Sequence, residues 1–395
     1  MYKSMRRLLL LVAALLCLCG AAGGETARDI TGECLFNGAY GNSIRDEFYT
    51  SVWESSRRNG VHALVVQAPQ GQTIGGLLIR WRTWPLALRM EAQNAAGEWE
   101  TVGGCEADFL AQYIPVHDLP TVRLMERETG GDIRLEISQI TVLSPGELPP
   151  EIQVWQKAPD KVDLMLLAAH PDDEVLWFGG LLPTYAGELG REVLVVNASY
   201  ASFDRRLELL DCLWTCGVRS YPVFLGYPDI CANERSQVLQ CWNWERVVGD
   251  VVALYRRYRP DVVMLHAANG ESGHWAHIII SEAGREAALA AGDAQRFAQS
   301  AQRYGVWNVP KVYMHLYQGN PIRLDWHVPL ERFNGRTGFE VADEGFRCHR
   351  SQLGGGWAMQ LGGENDNAVF GLWRSTVGAD SEAADLFEHI APRQP

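Results

Sequence analysis

The alternation of hydrophobic and polar residues changes in character near residue 145, and this change predicts two domains of different class. Before that point, apolar and polar positions alternate in short runs. In LALRMEAQ, for example, Leu88 and Met90 are separated by Arg89. A period of two residues is typical of half-buried strands, and turn sequences such as NAAGEW and ETGGD separate the runs. Residues 25–145 are therefore predicted to form an all-β sandwich or jelly roll.

A second pattern begins after residues 146–161, a stretch rich in proline and polar residues that is predicted to be a linker. Continuous apolar runs are typical of parallel strands buried on both faces. These runs are VDLMLLAA, EVLVVNAS, YPVFLG, DVVMLHA and KVYMHLY. The segments between them that are predicted as helices are DEVLWFGGLLPTYAGEL, DRRLELLDCLWTCG, WNWERVVGDVVALYRRY and WAHIIISEAGREAALAAG. Residues 162–395 are therefore predicted to form a doubly wound, Rossmann-like α/β domain.

The first apolar run is followed at once by side chains that can bind metals or transfer protons. AHPDDE places His170, Asp172, Asp173 and Glu174 between a predicted strand and a predicted helix. Open α/β sheets form their sites at the carboxyl ends of strands. Capping of the helix would explain one carboxylate, but it gives no reason for a histidine and two further acids.

A second polar motif follows another predicted strand. In LHAANGESGHWAH, His274 and His277 lie three residues apart after the run DVVMLHA. Two strand ends can bring His170, Asp173 and His277 together as two histidines and one carboxylate, the ligand set of a catalytic zinc with an open coordination position. Zinc is therefore the predicted cofactor, with another divalent transition metal as the alternative.

Together the two motifs resemble the signatures of the PIG-L or LmbE-like de-N-acetylase superfamily. The resemblance rests on AHPDDE and GESGHWAH and extends over roughly residues 162–317. Members of this superfamily use zinc to remove the acetyl group from N-acetylglucosamine-type sugars. The resemblance thus implies an LmbE-type catalytic domain whose partner is an N-acetylated glycan or glycoconjugate.

The resemblance also implies roles for five of the motif residues. The metal ligands are His170, Asp173 and His277. Asp172 is implied as the general base that takes a proton from the attacking water. His274 is implied to polarise or protonate at the tetrahedral intermediate. An amide carbonyl is a poor electrophile, so its hydrolysis needs both a metal and a base.

Three residues outside the motifs are candidates for binding substrate. Arg205 and Glu208 match an Arg-x-x-Glu helix of the superfamily, and Arg205 would contact a sugar hydroxyl or a carboxylate; an ion pair between the two is the alternative. Asp229, in LGYPD, would bind sugar hydroxyls, with a turn residue as the alternative. His349, in CHRSQ, matches a pattern of bacterial members. His266 is interpreted as a core histidine.

The chain departs from the superfamily pattern at three places. The second motif usually reads His-Pro-Asp-His, but Trp275 and Ala276 occupy its middle here. A carboxylate that would support a ligand histidine is therefore missing from this position. Ser272 stands where many members have tyrosine, and VNASYAS lacks the glycine-rich form common in the superfamily. These departures bear on the substrate more than on the metal.

The β domain resembles the discoidin, or coagulation-factor type C, sandwich through DEFYTSVWES and IGGLLIRW. This resemblance implies a carbohydrate-binding domain that associates with a polysaccharide or the cell envelope. The segment GLWRSTVGADSEAADLFEHI resembles the C-terminal extension of some secreted bacterial relatives and is expected to pack on the catalytic domain.

The first residues have the pattern of a targeting segment. Lys3, Arg6 and Arg7 precede a short apolar run and small residues suited to cleavage. Residues 1–24 are therefore predicted to be a secretory signal peptide, with a retained membrane anchor as the alternative. The protein is predicted to be secreted, extracytoplasmic or attached to the cell surface.

Export would place the cysteines in an oxidising compartment, where disulfides persist. Seven cysteines follow the predicted signal peptide, and this odd number leaves at least one free thiol. The candidate pairs are Cys34 with Cys105 and Cys231 with Cys241. Cys212 and Cys216 lie four residues apart in a predicted helix and are expected to be buried rather than to bind zinc.

Composition and charge limit the partners. The chain has 395 residues and a formal net charge of −13. This charge would repel a phosphate backbone, so nucleic acid is not an expected partner. The predicted function is that of a secreted zinc N-deacetylase. The alternatives are a glycan-binding surface protein without catalysis and a metal-dependent esterase or amidase on the same fold.

Overall fold

A computed structural model of the chain describes residues 25–39, 41–46, 48–381 and 385–391. The predicted signal peptide lies outside the described residues. Across the part that is described, no helix has both the length and the apolar character that a membrane crossing requires. The chain divides into two compact units. The first contains residues up to Ile79 with 86–107 and 113–152, and the second contains residues 80–85, 108–112 and 153–395.

The N-terminal region forms strands, as its period of two residues predicts. Their bounds are β1 Leu35–Phe36, β2 Trp53–Glu54, β3 Arg57–Arg58, β4 Val61–His62, β5 Leu64–Gln67, β6 Ile74–Trp81, β7 Leu88–Gln93, β8 Trp99–Cys105, β9 Ala111–Leu119, β10 Thr121–Glu126 and β11 Glu136–Leu143. One sheet has the order β1-β5-β10-β7-β8 and another the order β2-β11-β6-β9, while β3 pairs with β4. On β7, Leu88 and Met90 are buried and Arg89 is half-buried. The predominance of strands is thus confirmed, whereas the resemblance to a discoidin sandwich stays a prediction.

The second unit is built on one seven-stranded sheet. Its strands are β12 Leu164–Ala168, β13 Val193–Tyr200, β14 Val223–Pro228, β15 Val262–Leu265, β16 Lys311–His315, β17 Pro321–Arg323 and β18 Val369–Ser375. Their order is β14-β13-β12-β15-β16-β18-β17. The first five are parallel neighbours, which confirms the Rossmann-like prediction. The antiparallel edge formed by β18 and β17 was not predicted.

Eight α-helices lie among the described residues of this unit. They are α1 Asp173–Leu176, α2 Phe203–Thr215, α3 Arg235–Cys241, α4 Trp244–Tyr258, α5 Gly270–Gly273, α6 Trp275–Ala290, α7 Ala298–Tyr304 and α8 Gly338–Arg347. A buried apolar cluster joins α4 and α6 to β12, β13 and β15. On α4, Val247, Val251 and Tyr255 recur every four residues and face this cluster. The burial of both faces explains the continuous apolar runs of the strands.

The helix predicted for DEVLWFGGLLPTYAGEL is interrupted, so that prediction was wrong in its length. Helix α1 ends at Leu176, and a π-helical segment, Pro183–Glu188, follows after a break. Gly179 lies in the break with a φ of 55°, a left-handed conformation that favours glycine. A Cβ atom on Gly179 would approach Trp326 Nε1 to 2.6 Å. The close contact and the backbone conformation together require glycine here.

The structure does not support the candidate disulfides. Cys34 is a buried free thiol, and burial raises its pKa to about 11. Cys231 and Cys241 are exposed and also free. Cys212 and Cys216 are fully buried, as expected from their spacing on α2.

Candidate active site

The two polar motifs meet at the carboxyl ends of β12 and β15. These strands are neighbours, and the chain continues from β12 to β13 on the opposite side. Such a reversal of strand order opens a crevice in which α/β proteins bind their ligands. His170 follows β12 by two residues, and His277 lies in the first turn of α6 after β15. The fold therefore brings together residues that are more than 100 positions apart in the chain.

The predicted metal ligands form a compact, buried triad. His170 Nδ1 lies 3.3 Å from His277 Nε2 and 3.5 Å from Asp173 Oδ2. His277 Nε2 lies 3.3 Å from Asp173 Oδ1. Tetrahedral zinc with bonds of about 2.0–2.2 Å needs donor atoms about 3.4 Å apart. The three side chains are of the right chemistry for a divalent ion such as zinc, and each histidine faces a different oxygen of Asp173; the donor atoms of His170, His274 and His277, and those of Asp173, His266 and His277, lie within 4.8 Å of one another.

Asp173, one of the predicted ligands, is held in place in its ionised form. Its Oδ2 accepts hydrogen bonds from the backbone of His170 at 2.7 Å and of Ala169 at 3.0 Å, and its Oδ1 accepts one from Trp177 Nε1 at 3.0 Å. Burial disfavours the charge, but His277 and His266 outweigh burial and hold the pKa of Asp173 well below its usual range. Asp173 is therefore a carboxylate that is already oriented toward the two histidines.

Glu271 supplies the carboxylate that the second motif lacks at position 276. Its Oε2 lies 2.9 Å from His277 Nδ1 and 3.0 Å from His266 Nδ1, and its Oε1 lies 2.9 Å from His315 Nδ1. Burial opposes its charge, but His266 and then His277 and His315 hold the pKa of Glu271 well below its usual range. A carboxylate behind a ligand histidine fixes the tautomer and ring orientation. Sequence reasoning assigned no role to Glu271, although it lies within the quoted motif GESGHWAH.

His266 is a buried histidine, as expected from the sequence. Its hydrogen-bond and stacking partners are residues of the candidate site. Its Nδ1 faces Glu271, and its Nε2 lies 3.2 Å from the backbone nitrogen of Ala169. Its ring stacks on the ring of His277 with the centroids 4.1 Å apart. Burial opposes protonation of His277, but Asp173 and Glu271 outweigh it and raise the pKa of His277 to about 10. The stacked ring of His266 thus supports one face of the ring of His277, which is a predicted ligand.

Asp172, the predicted base, lies beside the triad in a strained conformation. Its φ is 116°, a value that few residues other than glycine adopt, and its backbone nitrogen donates to Glu174 Oε2 at 2.9 Å. Burial and then the charge of Asp173 raise the pKa of Asp172 to about 7. Its carboxylate lines the same cavity as His170, Asp173 and His277.

Arg205 and Asp229 also line the cavity and contact each other. Arg205 Nη1 donates to Asp229 Oδ2 at 2.8 Å, and Nη2 donates to the carbonyl of Pro171 at 2.7 Å and lies 3.3 Å from Asp172 Oδ2. The alternative ion pair with Glu208 is not formed: Arg205 pairs with Asp229 and Asp172, and Glu208 accepts hydrogen bonds from Ser351. Arg205 therefore orients Asp172 as well as facing the cavity.

His274 lies at the cavity with its ring packed against two ligand histidines. Its ring centroid is 4.4 Å from that of His277 and 4.8 Å from that of His170. Burial and then these two rings lower the pKa of His274 to about 3. The described residues form no hydrogen bond with its Nδ1. His274 is thus a neutral ring at the edge of the site.

His349 does not reach the cavity, which corrects its predicted role in binding substrate. It is fully buried, and its Nε2 lies 2.6 Å from Glu174 Oε1. Glu174 in turn accepts the backbone N–H of Asp172. Burial opposes protonation, but Glu174 outweighs it and raises the pKa of His349. His349 therefore acts on the site through its contact with Glu174, a residue to which sequence reasoning gave no separate role, and its charge also lowers the pKa of Asp172.

The cavity itself has a volume of about 490 Å³. Its lining combines charged and polar side chains with apolar ones such as Leu176, Ala232 and Trp357. Its lining residues that sequence reasoning did not assign are Leu176, Cys231, Ala232, Glu271, Gly273, Gln352 and Trp357. Trp357 follows a run of glycines in LGGGW, a pattern that gave no indication of a site.

Residues 165–288 match the family model PIG-L, described as GlcNAc-PI de-N-acetylase. This match contains both motifs and confirms a PIG-L de-N-acetylase domain over these residues. It covers the ends of β12 and β15 where the triad lies. The match leaves the β region and the residues after 288 without a family assignment.

Two curated proteins with similar sequences are sugar deacetylases by name. A 1D-myo-inositol 2-acetamido-2-deoxy-alpha-D-glucopyranoside deacetylase of Catenulispora acidiphila is 29% identical over 38% of this chain and 54% of its own length. A 1D-myo-inositol 2-acetamido-2-deoxy-alpha-D-glucopyranoside deacetylase of Mycobacterium leprae is 28% identical over 42% of this chain and 67% of its own length. The chain thus spans between about half and two thirds of these relatives.

A solved structure with a similar region is the N,N'-diacetylchitobiose deacetylase of Pyrococcus horikoshii. It is 19% identical, with a TM-score of 0.38 over 49% of this chain and 72% of that chain. Similarity at this level supports no argument about activity.

Proposed function

We propose that the protein is a secreted, zinc-dependent hydrolase that removes N-acetyl groups from N-acetylglucosamine-type sugars or glycoconjugates. The observation that carries this proposal is the buried triad of His170, Asp173 and His277 with Asp172 beside it in one cavity. The PIG-L match and the names of the two relatives support a sugar amide as the substrate.

The triad would hold the metal through His170 Nδ1, His277 Nε2 and the carboxylate of Asp173. When bound, a divalent ion polarises an amide carbonyl and acidifies an attacking water. Asp172 is not one of the proposed ligands, and it takes the proton from the attacking water. Water oxygen bonds to the carbonyl carbon, the C–N bond breaks, and Asp172 returns the proton to the leaving amine. The products are acetate and the free amino sugar.

Arg205 and His274 complete the chemistry. Arg205 keeps Asp172 in position through contacts with its carboxylate and with the carbonyl of Pro171. His274 has a ring N–H that can donate to the carbonyl oxygen as negative charge develops there. Asp229, exposed at the cavity, accepts hydrogen bonds from sugar hydroxyls beside its contact with Arg205.

The proposal extends to the remaining parts of the chain. The basic and apolar pattern of residues 1–24 supports export. The strands of residues 35–143 provide a β domain that would hold the enzyme near a polysaccharide or the cell envelope. A zinc enzyme that works outside the cytoplasm on a surface glycan is consistent with both features.

The variant Asp172→Asn tests the assignment of the base. It keeps the shape of the side chain and removes its ability to accept a proton, so we expect kcat for N-deacetylation to fall by about 10²–10⁴-fold. Zinc affinity should stay within about twofold, since Asp172 is not a ligand. Asp343→Asn, at a half-buried acid of α8 that pairs with Arg347, is the matched control and should leave both values unchanged. An Asp172→Asn protein with undiminished kcat would refute the assignment.

A further inference from the structure

Trp357 is an exposed aromatic side chain at the cavity, and nothing in the proposed chemistry uses it. The indole is 54% exposed, whereas the neighbouring Trp177 is 5% exposed. A large apolar surface left in water at a ligand cavity marks a place where a ligand is expected to bind. The question is which part of a substrate would cover it.

The ring of Trp357 is connected to the metal triad through Trp177. The two indoles meet edge to face with their centroids 6.1 Å apart. Trp177 lies 6.0 Å from the ring of His277 and donates to Asp173 Oδ1. Trp357 is thus one aromatic ring removed from the triad, a position suited to the part of a ligand that adjoins the reacting acetamido group.

The loop that carries Trp357 is shaped to fit the ring. A Cβ atom on Gly355 would lie 3.0 Å from Trp357 Cδ1, so the glycine leaves room for the indole beside its own backbone. Gly356 has a φ of 76°, which turns the chain immediately before Trp357. Gln352 of the same loop also lines the cavity and offers a polar group.

We propose that Trp357 is a platform for a second sugar ring, linked to the N-acetylated sugar whose amide is cleaved. One face of a pyranose is made of C–H groups, and an indole that packs on it removes both surfaces from water. Gln352 is placed to hydrogen-bond the hydroxyls of the same ring. The preferred substrates are therefore N-acetylated disaccharides or longer glycans rather than free N-acetylglucosamine. This inference rests on the proposed function.

Kinetics on two substrates test the platform. Acetate release is measured with N-acetylglucosamine and with its β-linked disaccharide, for wild type, Trp357→Ala and Trp357→Phe. We expect Trp357→Ala to raise KM for the disaccharide about tenfold, with little change for the monosaccharide. Trp357→Phe should recover most of the loss. Leu353→Ala, an exposed residue on the same loop that does not line the cavity, is the control and should behave as wild type.

Direct binding separates the failure of this inference from the failure of the proposed function. Calorimetry of the disaccharide with wild type and Trp357→Ala should show a loss of affinity of about tenfold whether or not turnover occurs. Equal effects on both sugars, or none, would overturn the platform. A change in oligomeric state with no change in sugar binding would overturn it too, and would assign Trp357 to a contact between copies. Absence of turnover on both sugars with intact binding would instead contradict the proposed function.

Discussion

At the scale of single residues, the carboxylate of Glu271 contacts three histidines, His266, His277 and His315. In the described part of the chain, His277 is the one of these three histidines that also contacts Asp173 Oδ1, and its Nε2 lies 3.3 Å from that oxygen. His266, His277 and His315 together offset the cost of burying the negative charge. Glu271 thus orients His277, the predicted metal ligand.

Glu271→Gln is predicted to weaken zinc binding. The amide keeps the size of the side chain but removes the charge that fixes the His277 ring, so we expect the Kd for zinc to rise by about 10–100-fold. Competition with a chromophoric chelator measures the change.

The control for this prediction is Glu126→Gln in the N-terminal region. Glu126 is another buried carboxylate, and it accepts the backbone N–H of Thr129 at 2.7 Å. Its loss should lower stability without changing zinc affinity. Equal zinc affinities in wild type and Glu271→Gln would show that His277 does not depend on this carboxylate.

The residues of the site were only partly predictable from the sequence. His170, Asp173 and His277 belong to recognisable motifs, and the structure brings them together. Glu271 lies in the second motif, but its partner His315 is 44 residues away, and only the fold of β16 beside β15 places them together. His349 shows the reverse case, since a recognisable motif does not reveal that its side chain faces Glu174 instead of the cavity.

At the scale of elements, the break after α1 determines where the first motif points. Gly179 adopts a φ of 55° with Trp326 and Asn367 packed against its α-carbon. A continuous helix through this point would require Trp326 to move. Side chains that come from distant parts of the chain cause the break, which explains why local periodicity predicts one long helix.

Gly179→Ala is predicted to destabilise the protein more than Gly226→Ala. Both glycines have positive φ, which costs alanine about 1–2 kcal/mol. Only at Gly179 does the new Cβ also meet other atoms, at 2.6 Å from Trp326 Nε1, whereas nothing lies within 4 Å of it at Gly226. We expect the clash to add about 1–3 kcal/mol, measured as the difference between the two unfolding free energies in urea. Equal destabilisation by both variants would mean that Trp326 moves aside freely.

The strands illustrate what the sequence can and cannot predict at this scale. The five parallel strands follow from runs that are mostly apolar, because burial on both faces of the inner strands leaves few polar positions, such as Asn197 on β13 and His315 on β16. Strand β18 pairs antiparallel with β16, although β18 begins 54 residues after the end of β16 in the chain. Pairing at such a distance is set by which edge of the sheet is free, and no local pattern encodes that.

At the scale of the whole molecule, the net charge of −13 favours neutral substrates over polyanionic ones. We predict that kcat/KM for a sulfated N-acetylated glycan rises roughly threefold between low and physiological salt, because ions screen the repulsion. The value for the neutral analogue should stay constant over the same range. Identical salt profiles for the two substrates would show that the net charge has no influence at the cavity.

The central claim is that the triad and Asp172 hydrolyse a sugar N-acetyl group with the help of a divalent metal. Its most direct test is acetate release from matched N-acetylated and O-acetylated glycans, measured for protein stripped by a chelator and for the same protein after zinc is restored. The account predicts release from the N-acetylated glycan only, absent after stripping and regained with zinc. Release from the O-acetylated glycan alone, or equal release with and without zinc, would contradict it.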